Sequence, residues 1–362
     1  MKNKHILEFC LAHGFGGLEL CVVDYFKCFQ TKTKCSLMVA PDTKLDKSVD
    51  DKNKFTLKRN KLLPFLPALK LAKFIDTNDV DIIHFHWGKD IITVVLGKLL
   101  SKRKPKIIHS RHMSMTRFKD DMYHNWLYKN IDILHAVTNQ VKEQMQKFIP
   151  DFIRPPIEVV YLGVNEPKVD KEKIDQFKEK YKIKENEFIV GMVGRIESEK
   201  GQYILIDAIK KLQNLNIKAL IIGHTMDENY LDKLKTQIKS LNLQNNIIFT
   251  GFTRDVNEHM QLCDTMVLAT KKETFGLVVI EAMANKICMI ATNNGGPLEI
   301  IDDNINGLLF DRTSDDLAKK IEFLYNDTDK KEALAQAGYE KVKKVFDHDT
   351  QVEKLYDIID KC

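Results

Sequence analysis

Short apolar runs alternate with longer amphipathic stretches along the whole chain. In the first half, His5–Cys10, Cys35–Val39, Asp81–Phe85, Lys106–Ser110 and Ile133–Thr138 read as strands. Between them, Leu18–Gln30, Ala68–Asp76, Ile91–Ser101 and Met122–Lys129 space their apolar residues as a helix does. Such alternation predicts a parallel sheet with helices on both faces, an α/β class. The pattern then restarts. Phe188–Val193, Lys218–Gly223, Asn246–Phe249, Asp264–Leu268 and Ile287–Ala291 are strand-like, with helical stretches between. Prolines interrupt the connecting segment Ile149–Lys184. The boundary is expected near Gly163–Pro167, giving domains over 1–164 and 165–344. Asp329–Lys361 reads as one charged helical segment, and its end, about 345–362, is expected to return to the first domain. Two doubly wound halves imply ligands at the carboxyl ends of their strands, in a cleft between the domains.

A length of 362 residues agrees with two domains of about 150–200 residues each. Hydrophobic residues at 44% suffice for two cores, and charged residues at 30% are interspersed, which excludes a disordered chain. A net charge of +5 is compatible with phosphate-rich substrates or an anionic membrane but does not suggest a nucleic-acid partner. The seven cysteines form no C-x-x-C pair and several lie inside apolar runs, so a reducing compartment is expected, without disulfides or zinc. No run approaches the roughly 18 apolar residues of a membrane span. Met1–Lys4 leads straight into a strand-like run without a signal-peptide pattern, which points to the cytoplasm.

The segment with most chemistry is Lys272–Glu281, K-E-T-F-G-L-V-V-I-E, which follows a strand-like run. A loop leading into a helix here places the amides of Phe275–Leu277 at a helix start, where a diphosphate binds readily. Glu273 just ahead of it suits sugar hydroxyls, and Glu281, one to two turns in, suits a ribose diol. Spacing alone is equally consistent with Glu273 as a helix cap and Glu281 as an ordinary helical residue.

E-T-F-G-L-V-V-I-E-A-M resembles the E-x7-E signature of the retaining glycosyltransferases of family 4, also called group 1. Other segments resemble the same family in order and spacing. V-G-R-I-E-S-E-K-G at Val193–Gly201 is similar to its phosphate-binding loop, and Ala219–Gly223 with His224 to the strand ending beside the nucleotide base. Asn246–Phe252 and Thr292–Glu299, T-N-N-G-G-P-L-E, are similar to the strand and glycine turn flanking the signature. In the first half, H-G-F-G-G-L-E at His13–Glu19 resembles the family's first glycine loop, and D-V-D-I-I-H-F-H-W at Asp79–Trp87 a strand ending in histidine. H-S-R-H-M at His109–Met113 resembles the segment carrying an active-site histidine, and Val159–Asn165 the entry to the second domain.

The resemblance implies two Rossmann-like domains facing across a cleft, the GT-B arrangement, with the acceptor on the first and the nucleotide-sugar donor on the second. It implies that Arg195 and Lys200 neutralise the donor phosphates, with help from Gly194, the helix start at Thr274, Phe275, Gly276 and Leu277, and the amides of Gly16 and Gly17. Glu273 would orient the sugar, Glu281 hold the ribose, and His224 lie beside the base. His112, at the outgoing loop, is preferred as the active-site histidine over His109, which reads as a strand residue satisfied by its neighbours. His86 is the acceptor-side candidate of the pair His84 and His86, which share a face. Arg111 and Arg117 suit an acidic acceptor or plain surface.

The family resemblance implies a hexose-type sugar passed with retention to a glycan or lipid-linked acceptor, in cell-surface polysaccharide or lipopolysaccharide synthesis. An epimerase on the same scaffold and a non-catalytic partner subunit stay open as alternatives. Asp79-Val80-Asp81 precedes a strand, where a D-x-D metal motif would follow one, so it is expected to be a turn. No other group of carboxylates or histidines has metal spacing, so no metal and no cofactor beyond the nucleotide sugar is expected. Leu57–Phe74 mixes lysines with leucines and phenylalanines and suits either an anionic membrane surface or a helix packed on a sheet.

Overall fold

The computed structural model describes residues 4–60, 63–225 and 227–362. By their contacts the residues group into two compact units: Met1–Leu162 with Asp349–Cys362, and Gly163–His348.

The first unit is built on seven strands: β1 (His5–Cys10), β2 (Lys34–Val39), β3 (Lys54–Thr56), β4 (Ile82–Phe85), β5 (Lys106–Arg111), β6 (Ile133–Ala136) and β7 (Ile157–Val159). They lie in the order β3-β2-β1-β4-β5-β6-β7, all parallel. β1 and β4 are buried along their length, as expected of strands covered on both faces. The chain order reverses direction between β1 and β4, and their carboxyl ends mark the switch point where such sheets bind ligands. The helix His348–Lys361 brings Tyr356 against Phe29 of this unit, ring centroids 5.6 Å apart.

The second unit repeats the plan with β8 (Phe188–Val193), β9 (Ile217–Ile222), β10 (Ile247–Gly251), β11 (Thr265–Leu268), β12 (Cys288–Thr292) and β13 (Leu308–Phe310). The order is β10-β9-β8-β11-β12-β13, again parallel, with the switch point between β8 and β11. Its core is aliphatic: Val190 and Ile221 of the sheet meet Leu205 and Ile209 of the helix Gln202–Lys211.

Asp329–Lys361 is not one helix. Thr328–Val345 and His348–Lys361 are separate because the fully buried Phe346 leaves helical geometry (φ −117°, ψ 23°). Its carbonyl accepts from Val164 N–H at 2.9 Å and Asp347 bridges Val164, so burial and a strand-like contact outweigh the helical spacing.

Asp79 ends the helix Phe65–Asn78 in a left-handed conformation, and Asp79 and Asp81 bind Arg103 at 2.9 and 2.7 Å. The D-x-D sequence is therefore a turn held by an ion pair. In the lysine-rich stretch, Lys61 and Leu62 lie outside the described residues. The helix buries Ala68, Leu71 and Ile75 and leaves Leu63, Phe65, Leu66 and Leu69 exposed nearby. Among the described residues no helix is long and apolar enough to cross a membrane.

Candidate active site

In the second unit the loops leaving β9, β8 and β11 are neighbours because the strands are. Backbone bonds tie them together: Ile196 N–H donates to His224 C=O at 2.9 Å, Lys271 N–H to Glu199 C=O at 2.9 Å, and Gly296 N–H to Glu273 C=O at 2.9 Å. Two glycines permit the close approaches. A Cβ on Gly223 (φ +144°) would lie 2.0 Å from the Gly194 carbonyl oxygen, and one on Gly295 (φ +71°) 2.2 Å from that of Glu273. The result is a preorganised layer of loops at the switch point.

Within it Lys200 and Glu273, 73 residues apart, come together, Nζ to Oε2 3.4 Å. Both are about three-quarters buried, and the separation leaves the ammonium able to reach a further anion. Arg195, expected to act with Lys200, pairs its guanidinium with Glu197 at 3.0 Å, and half of its side chain is in solvent. An exposed pair of this kind contributes only about 0–1 kcal/mol, so an incoming phosphate would detach it at little cost.

The helix Leu277–Ala284 starts behind Gly276, which takes φ +100°. Phe275 and Gly276 are buried, while Thr274 and Leu277 are half-buried at the helix start. The start of an α-helix leaves backbone N–H groups outside its regular ladder, and here Val279 N–H turns back to Gly276 C=O at 2.8 Å. Glu281 follows on the same helix, half-buried, and burial raises its carboxyl from the usual range to about 7. His224 lies at the start of the loop after β9. The exposed Phe252 stands edge-on to it at 5.6 Å, a platform that a planar base would extend.

In the first unit the glycine loop enters the helix Gly17–Gln30. Here the expectation needs correction at Gly16: its amide already donates to the buried Glu19 carboxylate at 2.8 Å, a one-way cap, since glycine has no side chain to return a bond. A phosphate at Gly16 and Gly17 would have to compete with a carboxylate that the same motif supplies.

The carboxyl ends of β1, β4, β5 and β6 carry a buried chain of hydrogen bonds. Glu8 meets His84 Nδ1 through Oε1 and His86 Nε2 through Oε2, each at 2.7 Å. His84 Nε2 and His135 Nδ1 both meet Ser110 Oγ at 2.5 Å, His135 Nε2 meets the Val160 carbonyl at 2.9 Å, and His86 Nδ1 meets His112 Nε2 at 3.1 Å. Proton directions follow from the carbonyl, which can only accept. His135 Nε2–H donates to Val160, so Ser110 Oγ–H donates to His135 Nδ1 and His84 Nε2–H donates to Ser110. One proton then lies between His84 Nδ1 and Glu8. Burial raises the Glu8 carboxyl and lowers His84 to about 3, which places that proton on Glu8. His86, lowered to about 4 chiefly by burial, donates Nε2–H to Glu8 and accepts from His112 Nε2–H. The tautomer of His112 is thereby set, with Nδ1 as its remaining acceptor.

Two further expectations change. His109 is not satisfied by its neighbours: it stacks on Phe85 at 4.1 Å, and neither ring nitrogen has a hydrogen-bond partner among the described residues. The sheet also gathers a carboxylate and two histidines that linear spacing did not suggest, Glu8, His84 and His86. Their facing atoms are committed to one another, so a metal there would have to break both imidazole–carboxylate bonds. Arg111 closes the loop after β5, donating from Nε to Met113 C=O at 2.8 Å and from Nη2 to Ser114 C=O at 3.0 Å. Arg117 is exposed, outside the cavity of about 330 Å³ that His86, Arg111 and His112 help to line. A larger cavity, about 700 Å³, lies at the opposite, amino ends of β1, β4 and β5, beside the Asp81–Arg103 pair.

The family described as Glycosyl transferases group 1 matches residues 173–341, and Glycosyltransferase Family 4 matches residues 36–167. The chain belongs to the group 1, or family 4, glycosyltransferases. Similarity to individual members is modest. N-acetyl-alpha-D-glucosaminyl L-malate synthase of Bacillus anthracis is 26% identical over 67% of this chain and 64% of its own length. The capsular polysaccharide biosynthesis glycosyltransferase CapM of Staphylococcus aureus is 29% identical over 50% of this chain and 48% of its own. Among solved structures, Anabaena HepE in complex with UDP and glucose superposes with a TM-score of 0.86 at 21% identity, covering 99% of this chain and 100% of that one. The fold of this glycosyltransferase is accordingly GT-B, with two Rossmann-like domains.

Sequence reading missed Glu8, Ser110 and His135, because single polar residues inside strands carry no motif. Phe252 closes the segment Asn246–Phe252 and has no motif of its own. The one available signal for the buried chain was period-two polarity in β4 and β5, where His84 and His86, and Ser110 and His112, fall on one face.

Proposed function

We propose that the chain is a retaining, metal-independent hexosyltransferase that takes its sugar from a nucleotide sugar, of the UDP type, in the second unit. It delivers the sugar to a glycan or lipid-linked acceptor held by the first, in cell-surface polysaccharide or lipopolysaccharide synthesis. The observation that carries the reading is the meeting of Lys200 with Glu273 at the start of the Leu277–Ala284 helix. A cation and a row of helix amides are what a departing diphosphate needs, and the carboxylate beside them suits the hydroxyls of the sugar. Glu281 takes the ribose, Arg195 turns from Glu197 to the phosphates, and His224 with Phe252 flanks the base. No side chain among these is placed as a covalent nucleophile. The reading therefore has the leaving phosphate take the acceptor proton as the hydroxyl attacks from the same face. The relatives in capsular polysaccharide synthesis support the pathway class. A cytoplasmic enzyme touching the inner membrane face through Leu63, Phe65, Leu66 and Leu69 accords with their exposure.

Thermal unfolding in the presence of UDP, GDP and ADP tests the donor. UDP at a hundred times its dissociation constant should stabilise by about 2.7 kcal/mol, with the other two giving less. Equal or absent shifts would count against a UDP-type donor.

Glu281 makes the binding pH-dependent. Its carboxyl titrates near 7 in the free protein and must be ionised to accept from two ribose hydroxyls. Binding below that pH expels a proton, so affinity for UDP should fall by up to about tenfold per unit as pH drops below 7, and level off above it. In Glu281→Gln this component should vanish and binding be weaker throughout. The difference between the two profiles removes the titration of UDP itself, and parallel profiles would refute the assignment.

A further inference from the structure

We propose that the cavity at the carboxyl ends of β4 and β5 binds an anionic group, carboxylate or phosphate, on a hydroxylated acceptor. The proposal rests on the reading of the first unit as the acceptor unit and names what that unit accepts. The cavity holds about 330 Å³ and its wall carries Lys89, Arg111 and Lys119 but no carboxylate. None of these three cations makes an ion pair among the described residues. The nearby Asp121 carboxylate is held by His124 Nδ1 at 2.5 Å, and His124 Nε2 lies 3.4 Å from Lys119 Nζ. Burial draws both Arg111 and Lys119 below their ordinary pKa, the mark of cations short of water, with Asp121 only partly opposing the shift at Lys119.

Arg111 is oriented for the task. Its Nε and Nη2 are fixed on the Met113 and Ser114 carbonyls, and Nη1 points to Gly88, where even a Cβ would come within 3.2 Å. The small residue keeps the space beside Nη1 open. His109 supplies the independent observation: it is 1% exposed, it lines the same cavity, and neither of its ring nitrogens has a partner among the described residues. Buried polar groups are nearly always paired, so this imidazole awaits a ligand atom or ordered water. His112, with Nδ1 left as an acceptor by the buried chain, adds a place for a hydroxyl in the same wall. A neutral sugar would satisfy the imidazoles and leave three cations without an anionic partner, although Lys89 lies over the Trp87 ring and Lys119 reaches His124. A sugar acid or sugar phosphate satisfies both.

The test uses full-length protein carrying [15N]histidine, titrated without nucleotide with D-glucuronate, D-glucose 6-phosphate and D-glucose. Both anions should shift the ring signals of His109 and His112 to saturation, binding at least tenfold more tightly than glucose. Arg111→Met and Lys119→Gln should each weaken the anions about tenfold or more; Lys119 has no part in fixing the loop carbonyls, so its variant reads charge alone. Glucose binding as well as the anions, no shift with either anion, or anion binding unchanged in both variants would overturn the proposal. UDP-induced thermal stabilisation, followed in parallel, reports on the second unit alone. Its absence would remove the donor reading and leave the anion titration standing.

Discussion

Replacing Lys200 by alanine should lower turnover of the UDP-sugar by about 10²–10³-fold while leaving the folded protein nearly as stable as before. The two effects separate because of the geometry. Lys200 Nζ and Glu273 Oε2 are 3.4 Å apart, longer than a well-formed charge-assisted hydrogen bond, so the pair itself contributes little to folding. In the proposed transfer, one further negative charge builds on the departing diphosphate beside the same ammonium, where water is scarcer and a fixed cation is worth more. Lys200→Arg should recover part of the rate, and Glu273→Ala should fall as far as Lys200→Ala through loss of the sugar contact. The check is steady-state release of UDP alongside thermal unfolding of each variant. Lys200→Ala with near-normal turnover would remove this residue from the reaction.

Glu8 governs stability rather than transfer, and the size of its effect depends on what replaces it. Glu8→Ala strips partners from His84 Nδ1 and His86 Nε2, both fully enclosed, and leaves a space at the centre of the sheet. Two unsatisfied buried groups at about 1–3 kcal/mol each put the loss at about 2–6 kcal/mol. Glu8→Gln should cost much less, because its amide N–H donates to His84 Nδ1 and its carbonyl accepts from His86, reproducing the pattern of a protonated carboxyl. Urea unfolding of the two variants measures the difference, and equal losses would contradict the proton assignment.

The same chain sets the acid limit. His84, His86 and His135, with pKa values of about 3, 4 and 4, are lowered chiefly by burial, and His109 and His112 well below the usual value for the same reason. Groups with depressed folded pKa values contribute stability above the unfolded value, near 6.5, that is lost as pH falls towards 4. These five outnumber the buried carboxyls with raised pKa, Glu8, Asp90 and Glu281, so stability should decline through that window.

Much of this arrangement was legible in the sequence. β1 and β8 fall where runs of apolar residues lie between polar breaks, since a strand buried on both faces needs an unbroken run. β3, β7 and β13 were not legible: each has three residues at the edge of its sheet, too few for any period. Lys200, Glu273 and Glu281 could be named because they sit in loops and a helix whose motifs are contiguous. The chain from His112 to Val160 draws one residue from each of several strands, and only sheet order brings these together. Arg195 shows the converse, a motif residue whose partner in the free protein is Glu197 of the same loop, a carboxylate to which the resemblance assigns no role.

The central claim, sugar transfer with retention from a donor site around Lys200 and Glu273, is tested most directly by proton NMR of the sugar released or transferred from an α-linked UDP-hexose. The account predicts that the first product carries an α-anomeric signal and that Lys200→Ala and Glu273→Ala suppress its formation. A β-anomeric first product, or wild-type protein that neither binds nor turns over any UDP-, GDP- or ADP-hexose, would contradict it.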